Sequence, residues 1–116
     1  MITRDRLGGA NVIDVGWQRT SADGTKAFVD TVDFEIKYDG IEELEKYIKS
    51  YSACIICNVH FNANTDDFNE ITMYVWGLGR HSNIYLDTSF LSEDEKNILK
   101  AYALDELIAY RNGGFW

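Results

Sequence analysis

The stretch Phe28-Val29-Asp30-Thr31-Val32-Asp33-Phe34-Glu35-Ile36-Lys37-Tyr38 decides the fold. Phe28, Val32, Phe34, Ile36 and Tyr38 alternate with Val29, Thr31, Asp33, Glu35 and Lys37. A period of two with one face mostly apolar and the other mostly polar is a strand lying on a core with its back to water. Asp30 interrupts the apolar face and predicts either the end of that face or a strand that begins later.

Upstream, residues 11–20 contain Val12, Ile13, Val15 and Trp17 and read as a strand. The Asp23-Gly24 step that follows is a strong hairpin signal. The first ten residues read as a loose lead-in to the domain. Downstream, Asp39-Gly40 opens a helix expected over residues 41–51, with Ile41, Leu44, Ile48 and Tyr51 at helical spacing. Glu42, Glu43 and Glu45 come early and Lys46 and Lys49 late, the order that suits a helix dipole. Residues 53–61 are apolar on both faces except near Asn58 and His60, as in a central strand. A polar loop over 62–69 leads to an alternating strand over 70–76 and a turn at Gly77-Leu78-Gly79-Arg80-His81-Ser82. A fifth strand is expected over 83–88.

Ser92 and Glu95 form a capping-box pattern at the head of a helix running to about Asn112. Ile98, Ala101, Leu104 and Ile108 form its apolar stripe, broadened by Leu99, Tyr102, Ala103, Leu107 and Tyr110. Gly113-Gly114 supplies the stop. The order β-β-α-β-β-β-α predicts a single α+β domain of 116 residues, with about five mostly antiparallel strands and the helices mainly on one face.

Composition narrows the function classes. The chain is 46% hydrophobic and 14% aromatic, which excludes a disordered chain. Its formal net charge of -8 repels nucleic-acid phosphates and anionic membranes, so no direct nucleic-acid or membrane binding is expected. The N-terminus lacks an apolar signal core, no stretch is long and apolar enough to span a bilayer, and a cytoplasmic location is expected.

Motifs for chemistry are weak. Cys54-x2-Cys57-x2-His60 has the look of metal-ligand spacing. On a strand, however, Cys54 and His60 share a face that Cys57 cannot, and a fourth ligand is missing nearby, so no metal is expected. Both cysteines sit among apolar residues and read as inert buried thiols. No catalytic residue and no cofactor site is expected, and the reading is of a protein that is not an enzyme. One short segment offers a ligand site: glycines beside Arg80 and His81, with Trp76 and Tyr85 as stacking partners for a nucleotide. It matches neither a P-loop nor a dinucleotide fingerprint, and a hairpin turn accounts for it equally.

The distribution of charge is more informative. Residues 1–29 carry a net +1, residues 30–70 a net -7 and the remainder -2. Asp33, Glu35, Asp39, Glu42, Glu43, Asp66, Asp67 and Glu70 lie in the middle segment. If the loop bearing Asp66 and Asp67 folds near the helix start, these acids form one surface that imitates phosphate spacing for a basic partner. In size, charge and aromatic content the chain resembles two broad groups. One is the small acidic immunity proteins that neutralise bacterial nuclease toxins. The other is the small phage-encoded anti-defence proteins, anti-CRISPRs among them. The resemblance has no motif in it and transfers no residue. It implies an inhibitor that occupies the nucleic-acid site of a basic protein or nuclease. Two other expectations stand beside it: a nucleotide-sequestering protein, and an assembly subunit that dimerises through an edge strand or through Phe115-Trp116.

Overall fold

The computed structural model describes residues 1–20, 23–48, 53–65, 67–76 and 84–113. A short 3-10 turn at Arg4–Arg6 leads into β1 (Leu7–Thr20), followed by β2 (Lys26–Ile36), α1 (Glu42–Glu45), β3 (Cys54–Asn62), β4 (Phe68–Trp76), β5 (Ile84–Tyr85) and α2 (Glu93–Arg111). The five strands form one antiparallel sheet in the order β1-β2-β3-β4-β5. The expected α+β architecture is therefore present, with β3 central.

β2 aligns the sheet. Val32 opposes Val59, Phe34 opposes Cys57 and Ile36 opposes Ile55, and on β4 Met73 and Val75 continue the same face. All of these are essentially fully buried. α2 covers this inner face with Leu99, Ala103 and Leu107, and the Phe34 and Tyr102 rings meet edge-on at 5.0 Å between centroids. The central stripe is thus Glu95-Leu99-Ala103-Leu107 rather than the expected Ile98-Ala101-Leu104-Ile108, and Ile108 is exposed. Both stripes are apolar in sequence, and Glu95 selects between them. Besides completing the capping box with Ser92, its second oxygen accepts the backbone N–H of Ile2 at 2.8 Å, which turns the Glu95 face inward.

That contact also corrects the reading of residues 1–10 as a loose lead-in. Ile2 is completely buried, Arg4 pairs with Asp105 at 2.6 Å and lies over the Tyr102 ring, and the Arg6 guanidinium donates to the carbonyls of Lys37 and Asp39. β1 begins at Leu7, four residues earlier than the alternation suggests. Its pairing with β2 shifts register three times, between Gly8 and Asn11, Val12 and Asp14, and Asp14 and Trp17. Gly9 and Gly16 hold φ of 65° and 64° at two of these bulges, a conformation that glycine adopts without steric cost.

Asp30, the polar intruder on the apolar face of β2, is 3% exposed. Its carboxylate accepts the Gly16 N–H at 2.7 Å and pairs with Arg111 at 2.5 Å, tying the last bulge of β1 and the end of α2 to the sheet. The strand does not stop at Asp30; a charge-assisted pair satisfies the buried carboxylate there.

α1 is a single turn, shorter than the expected 41–51, of which residues 49–52 lie outside the described ones. After Glu45 the backbone tightens: Tyr47 and Ile48 bond back three residues to Leu44 and Glu45. Ile41 and Leu44 still reach the core. The fifth strand is likewise only Ile84–Tyr85 rather than 83–88. Among the described residues, no helix is long and apolar enough to cross a membrane.

Candidate binding face of the sheet

Alternation along the strands places a second set of residues on the face away from α2. Register assembles them into rows. Asn11, Asp33, Asn58 and Thr72 form one. Gly8, Glu35, Ile56, Tyr74 and Tyr85 form the next, and Asp14, Thr31, His60 and Glu70 the one on its other side. Cys54 and Trp76 extend the face beyond Tyr74. The rows hold four carboxylates and neither lysine nor arginine. Trp76 and Tyr85, 57% and 65% exposed, flank one end.

Of the sequence-predicted acids, Asp33, Glu35 and Glu70 therefore share a face. Asp39, Glu42 and Glu43 are exposed but follow the C-terminal end of β2. Asp67 lies in the loop after β3, whose Ala63 N–H bonds to the Phe28 carbonyl at the opposite end of β2. Eight residues of strand, about 26 Å at about 3.3 Å each, separate the two groups. The loop thus does not fold near the helix start, and the eight acids do not form one surface. Asp66 lies outside the described residues, as do Arg80 and His81. Trp76 and Tyr85 do share the face, and Tyr85 packs on Tyr74 with ring centroids 5.7 Å apart.

The cysteine–histidine spacing resolves as the strand period requires. Cys54 and His60 lie on the acidic face and Cys57 on the core face, and the described residues hold no group of three ligands placed for a metal. Burial pushes the Cys57 thiol far above its ordinary pKa. Burial, then the Glu35 carboxylate, pushes Cys54 up as well. Neither is an activated nucleophile. His60 is interior rather than at the strand end: its Nδ1 lies 2.8 Å from the Thr31 hydroxyl and its Nε2 4.0 Å from Glu70. A hydroxyl, an imidazole and a carboxylate in a row have the composition of a nucleophile with its base. Thr31, however, is 1% exposed, so a substrate cannot reach the hydroxyl, and the row is a packed polar network.

Sequence reading missed Asp14, Asn58 and Tyr74. Asn58 had a signal, as a polar residue inside a central strand. Asp14 and Tyr74 had none, because the bulges and the pairing order alone bring them to this face.

The fold and face together define an α+β protein with a helix-backed sheet and an open acidic surface. No family model matches the sequence, and no curated protein or solved structure shows a significant match to it.

Proposed function

We propose that the chain is a non-catalytic docking protein whose acidic sheet face seats the basic, nucleic-acid-binding surface of a protein partner and keeps nucleic acid off it. One observation carries this reading: Asp14, Asp33, Glu35 and Glu70 share a face whose rows contain no lysine or arginine, in a chain of net charge -8. Such a surface steers and orients a basic partner, and exposed Trp76 and Tyr85 supply aromatic anchors at its rim. The same face disfavours the nucleotide reading, because a phosphate stacked between Trp76 and Tyr85 meets Glu35 in the neighbouring position.

The test is capture of nuclease-treated lysate proteins on the tagged chain at low and high salt, followed by competition with nucleic acid for the captured protein. A basic protein that is lost at high salt and displaced by nucleic acid is the expected outcome. Binding that is indifferent to both salt and nucleic acid would sink the proposal.

A further inference from the structure

Two atoms in the acidic face narrow the partner's chemistry, taking the docking reading above as their premise. Asp33 Oδ1 and Asn58 Oδ1 are both buried and have no hydrogen-bond partner. The residues oppose each other directly across β2 and β3, which sets their Cβ atoms about 5 Å apart. Both orphan atoms are acceptors, so what the pair lacks is a donor. Each carries the desolvation penalty of a buried polar group left unpaired.

The surroundings lack a cation as well. Burial raises the Asp33 pKa, opposed by a hydrogen bond from Asn11. Burial raises the Tyr74 hydroxyl too, and Asp33, Tyr85 and Cys54 push it further the same way. These neighbours act on one another as negative charges do when no positive group stands among them. Directly beside them the Tyr74 and Tyr85 rings are tilted at 56°, and Tyr85 turns most of its surface outward.

We infer that this spot receives an arginine side chain of the basic partner, its guanidinium donating to Asp33 and Asn58 while its plane lies against the Tyr74–Tyr85 rings. Two acceptors on adjacent strands match the fork of a guanidinium, whose donors are fixed in one plane. A lysine ammonium brings a compact, strongly hydrated charge without the fork or the flat face. Stacking on an aromatic ring adds to the preference.

The experiment titrates the full chain with nona-arginine and with nona-lysine, read by tryptophan fluorescence at fixed low salt. Nona-arginine is expected to bind at least about tenfold more tightly. Asn58→Val, which leaves net charge unchanged, and Asp33→Asn should cut that preference below about threefold, whereas Glu42→Gln, matched in charge to Asp33→Asn, should keep it. Circular dichroism checks the fold of each variant, and Tyr85→Ala, at an exposed position, replaces either one that fails. Tight binding of both peptides without preference, or a preference that survives Asn58→Val, overturns the arginine seat and leaves the acidic docking face standing. Failure of both peptides to bind overturns the docking face itself.

Discussion

Replacing Asp30 with alanine removes a buried carboxylate that ties three elements together. Gly16 loses the acceptor for its N–H, and Arg111 loses its counter-ion. Breaking a fully buried pair costs about 3–5 kcal/mol. The Arg111 side chain is 35% exposed, so water solvates its charge in the variant, and the cost falls to about 2–3 kcal/mol. Unfolding entropy of about 2.1 cal/mol/K per residue over 116 residues converts this to a drop in Tm of about 10 °C. Guanidinium unfolding followed by tryptophan fluorescence measures it, with an unchanged m-value as the sign that the native fold is intact. Asp30→Asn, which keeps an oxygen for Gly16, should lose about half as much. A cycle with Arg111→Ala should give a coupling energy of at least about 1 kcal/mol. Asp30→Ala within about 0.5 kcal/mol of the parent would refute the reasoning, for the pair would then be an ordinary surface contact.

Glu95 links pH to stability. Burial raises its pKa, but hydrogen bonds from the Ser92 and Ile2 backbones outweigh that and hold it below the usual carboxylate range. A depressed folded-state pKa gives stability that is present above the unfolded value and lost as pH falls through the folded one. Glu95→Gln should therefore cost about 1–2 kcal/mol at neutral pH and progressively less as pH falls below about 4, read from the Tm of both proteins across that range. At Gly16, a Cβ would meet no atom within 4 Å, so the cost of Gly16→Ala is backbone strain alone. It should be about 1 kcal/mol by chemical unfolding, and no loss would mean that the bulge tolerates a left-handed alanine.

The parts of the fold legible in the sequence are those where one period governs a whole element. β2 and β3 alternate without interruption, and Ser92 and Glu95 mark the head of α2 before any contact is known. β1 hides its start because each of three extra residues resets which side chains face inward. α1 stops short because Tyr47 and Ile48 close tight turns that helical spacing alone does not reveal. At the candidate site, Asp33 and Glu35 could be placed together from their own strand. Asp33 beside Asn58 and Tyr74 depends on which strand pairs with which and in what register, information that local sequence does not hold. The expected union of Asp67 with Glu42 and Glu43 failed for the same reason: the strands between them fix the ends of the molecule at which their loops emerge.

The bulges of β1 carry a consequence for how the molecule behaves in a crowd. β1 is an outermost strand and displays Ile13, Val15 and Trp17, 47%, 58% and 63% exposed. A straight border of that composition invites a stray chain to zip alongside it. Three interruptions in fourteen residues bend the border and break the regular spacing of its outward amides, and at the far side β5 offers only two residues to copy. Glycine at 9 and 16 thus acts as a safeguard, letting the chain keep an oily rim without templating its own fibres. Engineering that straightens β1 for stability would be expected to trade solubility for it, visible as turbidity on concentration.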